Sequence, residues 1–214
     1  MDNLLASISC PRFRKYLEYG ANDFERAKEL YRWNIALSMS LYPYLQGWEV
    51  CLRNRIDIAL TDQFGPDWPN HKEFKRQIRS DLVRKIDRKY RKNRNDEGPK
   101  FQRDDFIASQ SAGFWVILLS DRYRINFGMN RRISLIFPHP PNFDRQAAWL
   151  ACDKVRMLRN RVAHHEPILA LNLGELYCMI KGLVKSMSPE LNHFCQESCQ
   201  FEDAYARKPN WFRV

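Results

Sequence analysis

The sequence predicts an all-α protein, and three observations predict it. Apolar residues recur at spacings of three and four through most of the chain, the period that lines one face of a helix. No segment alternates apolar and polar residues over several positions, as a half-buried strand would. Proline-rich and Asn/Asp-rich stretches fall where one periodic segment gives way to the next. A length of 214 residues without an internal repeat fits one bundle over 1–214, with 65–100 as a basic helical arm or insertion.

The elements follow in order. Residues 22–42 begin at an Asn22/Asp23 cap and place Phe24, Ala27, Tyr31, Ile35 and Leu41 on one face, with Trp33 and Leu37 on a second. Pro43 fits the first turn of another helix, which runs to Gln63 with Leu45, Trp48, Leu52, Ile56 and Ala59 inward. The segment 65–70 is a loop by its turn chemistry. Residues 71–94 read as one long helix with Phe74, Ile78, Leu82, Ile86 and Tyr90 four apart. Residues 95–100 read as a turn or linker. A helix over 104–120 has a candidate break at Gly113, and a short helix over 129–137 is stopped by Pro138. A long helix over 142–163 is ended by Pro167, and 173–187 and 189–200 give two more. The basic tail after Tyr205 is expected to fray.

Composition narrows the function. With 44% hydrophobic and 13% aromatic residues, the chain is not of the disordered class. Its longest apolar run, 112–119, is far short of the roughly 18 residues that span a bilayer. No secretory signal is evident in residues 1–10, and six cysteines without a CxxC pair read as reduced, mostly buried thiols, so a cytoplasmic location is expected. Thirty-five Lys and Arg against 25 Asp and Glu leave a net charge of +10, which makes nucleic acid the first candidate partner. The interval 72–100 alone holds 12 basic and five acidic residues. Arg84, Lys85, Arg88, Lys89, Arg91 and Lys92 lie close enough to repel one another unless a polyanion is near, and they are the candidate RNA-binding residues. A plain solvated helix face is the alternative.

One segment carries chemistry: Arg159-Asn160-Arg161-Val162-Ala163-His164-His165-Glu166-Pro167. On a helical wheel at about 100° per residue, Asp153, Arg156, Asn160 and His164 fall within about 80° of one another. Ala148, Ala151, Val155, Leu158 and Val162 gather opposite. Arg159 sits at the border, where its stem can pack and its guanidinium can reach the polar face. Imidazole titrates near neutral pH and can move a proton. Guanidinium keeps its charge and forks onto phosphate oxygens. Such a pair suits phosphodiester chemistry, although a helix end with surface Arg and His has the same residue types. No metal site is read in His164, His165 and Glu166, since no HExxH pattern occurs, nor in His193, Cys195 and Cys199. No P-loop, dinucleotide-binding or hydrolase motif is present, and no cofactor is expected.

The string RNRVAHHEP resembles the R-N-x-x-x-H motif of the HEPN superfamily, in particular its Abi-like (AbiD/AbiF-type) abortive-infection proteins. Outside the motif, the segments 31–38 (YRWNIALS), 49–54 (EVCLRN), 113–116 (GFWV) with Tyr123, and Phe137-Pro138 recur in that order in such proteins. The resemblance covers roughly residues 12–185. It implies a HEPN-like helical bundle, often dimeric, with metal-independent endoribonuclease activity serving as a toxin or phage-defence effector. Arg159 and His164 would be catalytic, with Asn160 as their polar partner. Asn34, Glu49, Arg53 and Asn54 would support them: Glu49 or Arg53 as a clamp on the motif, Asn34 as a buried hydrogen-bonding amide. RNA, a second copy of the chain and a cognate antitoxin (RNA or protein) are the partners implied, with no membrane. The rival expectations are a non-catalytic HEPN-fold module that binds RNA or protein, and a basic scaffold subunit.

Overall fold

The computed structural model describes residues 2–95 and 103–213, apart from the side chains at 2, 3, 85 and 89–95. Among the described residues every regular element is helical, as expected: α1 (Asp2–Ile8), α2 (Cys10–Tyr19), α3 (Phe24–Phe64), α4 (Lys72–Gln77), α5 (Ser80–Asn95), α6 (Arg103–Ala108), α7 (Ala112–Leu118), α8 (Met129–Ile136), α9 (Arg145–Ala163), α10 (Leu173–Met187), α11 (Pro189–Ser198) and α12 (Phe201–Ala206). Single 3-10 turns lie at Trp68–Asn70 and Asp121–Tyr123.

The spine is α3. Asp23 caps it by accepting from the N–H groups of Glu25 and Arg26 (2.9 and 3.1 Å), and Gly65, at φ 84°, ends it. Its 41 residues run about 60 Å at 1.5 Å each. The sequence predicts a division at Pro43, but the helix runs through it. Proline there forfeits the hydrogen bond to the Met39 carbonyl, which costs about 3 kcal/mol. Burial outweighs that: Leu41, Tyr44, Leu45 and Trp48 are all in the core, each contributing about 1.5–3 kcal/mol. The carbonyl of Pro43 also accepts from the Cys195 thiol (3.4 Å).

Helices α2, α7, α8, α9, α10, α11 and α12 all pack on α3. The two N-terminal helices are not assigned by the periodicity, yet Phe13 and Tyr16 of α2 are buried beside Tyr31 (ring centroids 5.9 and 4.9 Å). The inward face of α3 begins with Ala27, Leu30, Trp33 and Leu37, so Ile35, expected inward, is exposed. The tail is not frayed. Phe212 is buried edge-on against Trp33 (5.9 Å), and the Trp211 indole donates to Glu29 Oε2 (2.8 Å). All six cysteines are free, but only Cys152 and Cys195 are buried; Cys10 and Cys178 point outward from their helices.

The basic arm is two helices, not one. The chain turns extended at Ile78 (φ −88°, ψ 167°) and restarts at Ser80. The break keeps both Ile78 and Ile86 buried, with Phe74 wedged between Trp68 and Phe127 (4.7 and 5.2 Å). Over 104–120 the break falls at 109–111, ahead of Gly113. There the Ser109 hydroxyl and the Gln110 amide both donate to the freed carbonyl of Phe106 (2.9 Å each).

Candidate active site

Helix α9 carries the motif, and both of its ends are fixed. At the start, Asp144 accepts from the N–H of Ala147 (2.8 Å). The buried Arg145 donates to the Leu119 carbonyl (2.6 Å), to Asp121 Oδ1 (2.8 Å) and to Asn130 Oδ1 (2.9 Å). At the other end the helix stops at Ala163, four residues before Pro167. His165 is left-handed (φ 56°). Its N–H bonds to the Val162 carbonyl (3.1 Å), and that of Glu166 to the Arg161 carbonyl (2.8 Å). These two bonds satisfy the last carbonyls, a glycine-type ending built on histidine. Arg12 of α2 adds a third device: its Nη1 donates to the carbonyls of His164 and His165 (3.1 and 3.2 Å). A cation at a helix C-terminus opposes the negative end of its dipole.

His164 therefore occupies the capping position, exposed, five residues and about 7.5 Å of helix beyond Arg159. Arg159 is held by α3. Its Nε donates to Glu49 Oε2 (2.8 Å) and its Nη2 to Glu49 Oε1 (3.2 Å), while Nη1 lies 3.5 Å from Asn160 Oδ1. The pair is partly shielded, with the Arg159 side chain 35% and the Glu49 side chain 22% exposed. The carboxylate occupies one edge of the guanidinium, and of the remaining donors only one meets Asn160, over a long contact. Arg156 is tied to Asp153 (2.7 Å), both of them half-buried, with the Arg156 stem beside Gly113 of α7.

Of the supporting residues, Glu49 reaches the motif and turns to Arg159 across the interface between α3 and α9. Arg53 lines the same hollow, of about 300 Å³, with Tyr42, Glu49, Val50 and Arg159. Its Nε is buried and without a hydrogen-bond partner. Asn34 is structural. Its Oδ1 accepts from the backbone N–H of Ile168 (2.8 Å), strapping the chain after Pro167 to α3. Asn54 is exposed and lines neither hollow near the motif. It lies about 140° around α3 from Glu49. Arg84 and Arg88 are exposed on α5, whereas the side chains of Lys85, Lys89, Arg91 and Lys92 lie outside those described.

No family model, curated protein or solved structure matches the chain.

A second hollow, of about 610 Å³, adjoins the first across Tyr42, Val162 and Ala163. Tyr16, Tyr31, Met39 and His165 line it. Along its rim Ile35, Met39 and Tyr42 are 45, 70 and 60% exposed, an apolar stripe at helical spacing. The periodicity of α3 obscures this stripe, because Ile35 reads as core. Arg12 also escapes a sequence reading: it is one of three arginines or lysines in a short segment, and nothing local ties it to residues 164 and 165. Among the described residues no three His, Cys, Asp or Glu side chains group as metal ligands.

Proposed function

We propose that this protein is a metal-independent endoribonuclease of the Abi-like HEPN kind. The observation that carries the proposal is the forked Glu49–Arg159 contact one and a half turns before an exposed His164. Glu49 orients the guanidinium by one edge, so the other can meet non-bridging phosphate oxygens as charge builds on them. His164 moves a proton at the RNA 2′-OH or at the leaving oxygen. The nucleophile is the 2′-OH next to the phosphate, which gains from proximity without a second molecule being positioned. Asn160 orients the guanidinium or the phosphate from the same turn.

One imidazole serves one proton transfer, and cleavage needs a second at the leaving oxygen. The exposed Ile35, Met39 and Tyr42 beside the motif supply a face on which a second copy can bring its own His164 close. A homodimer joined there is part of the proposal. The toxin or defence role and a cognate antitoxin rest on the family resemblance alone, and a cytoplasmic location on the cysteine pattern and the first ten residues.

The experiment is incubation of wild type and His164→Ala with bulk RNA, with and without EDTA. The expected result is EDTA-resistant cleavage leaving 2′,3′-cyclic phosphate and 5′-OH ends, lost in the variant. Products with 5′-phosphate, or activity abolished by EDTA, would reject the mechanism. RNA binding without cleavage would favour a non-catalytic module, and a monomer that cuts at full rate would reject the shared site.

A further inference from the structure

A third hollow, of about 630 Å³, lies at the far end of α3, against α8 and the loop before it. Arg124, Arg131 and Arg132 line it with Asp62, Gln63 and the backbone of Gly128. Its volume is in the range of ligand sites. It is distinct from the motif: Asp62 is 13 residues beyond Glu49 on α3, about 20 Å along the axis and about 140° around it.

The hollow is built rather than incidental. Arg132 Nε donates to Asp62 Oδ2 (2.8 Å), which fixes one edge of the guanidinium and leaves the other to a ligand. Gly128 is left-handed (φ 57°), a conformation that favours glycine, and its lack of a Cβ leaves Arg132 Nη1 room that it would otherwise have to give up. From the core side, Arg145 grips Leu119, Asp121 and Asn130, and so holds both the loop that carries Arg124 and the first turn of α8. Arg131 is exposed and makes no ion pair among the described residues, and Arg124 has only a long contact to Asp121 (3.7 Å). Three guanidinium groups against one carboxylate leave the lining positive. The Asn126 amide donates to Gln77 Oε1 (2.6 Å), which ties this loop to α4, the root of the basic arm.

We infer that the hollow is a phosphate-binding site that holds the backbone of an RNA away from the point of cleavage. The inference rests on RNA being what the protein acts on. A strand gripped by Arg124, Arg131 and the free edge of Arg132 is anchored at the root of the arm, while the motif meets another stretch of it. Phosphate contacts of this kind set affinity and register, not base specificity.

The test is Arg124→Gln/Arg131→Gln in the full chain, which leaves Arg132 in its pairing with Asp62. Binding of a labelled 20-nucleotide single-stranded RNA is measured against salt in a His164→Ala background, and kcat and KM in the active one. Two lost contacts should flatten the slope of log K against log salt by about 1.4, at roughly 0.7 each. KM should rise with kcat unchanged. A control of equal charge, Lys154→Gln/Lys185→Gln, should move neither. An unchanged slope, or an equal change in the control, overturns the inference, as does a wild type that binds no RNA. RNA held through the hollow but never cut leaves the site standing and removes the nuclease. RNA cut with no response to the double substitution removes the site alone.

Discussion

Glu49 and Arg159 are 110 residues apart in sequence and joined by two hydrogen bonds, at 2.8 and 3.2 Å, across the seam between α3 and α9. A carboxylate that forks onto a guanidinium fixes its plane as well as its position. Glu49 is therefore a positioning residue, and its effect should differ in kind from that of the imidazole.

His164→Ala should lower RNA cleavage by about 10²–10⁴, the usual contribution of a positioned acid or base. The side chain is exposed, so the thermal midpoint should hardly move. Glu49→Gln should weaken the orientation of Arg159 and give a smaller fall, with an unchanged pH profile. Arg159→Lys should not restore the rate, because an ammonium cannot keep two edges engaged at once. Equal losses for Glu49→Gln and His164→Ala, with matching loss of fold, would mean the pair is structural only.

Asn34→Leu should destabilise the protein by about 1–3 kcal/mol, since it strands the buried N–H of Ile168. Denaturant unfolding reads this directly. A neutral substitution would show that water or a backbone shift satisfies the amide.

Gly47 faces α11 so closely that a Cβ would lie 2.6 Å from Cys195 Sγ. Gly47→Ala should destabilise by about 1–3 kcal/mol through overpacking. Cys195→Ala removes the sulfur, so the double variant should recover much of that loss. Additive losses in the cycle would show that the glycine matters for another reason.

Alkaline pH should unfold the protein early. Burial pushes the Cys152 thiol up from 9.0 to about 12 and the Tyr44 phenol up from 10.0 to about 12. The unfolded chain gives up these protons first, so their contribution is complete below about pH 9 and drains away as pH rises toward about 12. Thermal midpoints measured from pH 8 to 11 should fall steadily above 9, and Cys152→Ala should shift the start of that fall upward. A flat profile would contradict the burial of these groups.

Helix content and the motif helix were legible because each has a local signature: a 3.6-residue period and an Asp cap. Glu49 as a clamp came from the family resemblance, since its spacing to Arg53 alone reads as an ordinary pair on one helix. The boundaries that failed were decided by packing. Pro43 reads as a helix start, but four buried neighbours hold the helix through it. Ile78 sits in step with Phe74 and Leu82, yet the chain breaks there to bury it. The end of α9 at Ala163 is read correctly from the sequence, but its cause is not: His165 in a left-handed conformation closes the helix there, ahead of Pro167. Arg12 and Arg132 act on atoms 152 and 70 residues away, a distance over which residue type carries no signal.

The cover of Trp33 has a consequence for synthesis. Its indole N–H donates to the carbonyl of Ala204, 171 residues later, and Phe212 closes over it. At about 5–20 residues per second, a nascent chain carries that face bare for roughly 10–30 s. Arg159 and His164 emerge from the ribosome before it is sealed. A polypeptide terminated just short of Ala204 would thus hold the whole motif on an unsealed spine, and is expected to aggregate rather than persist as a smaller enzyme.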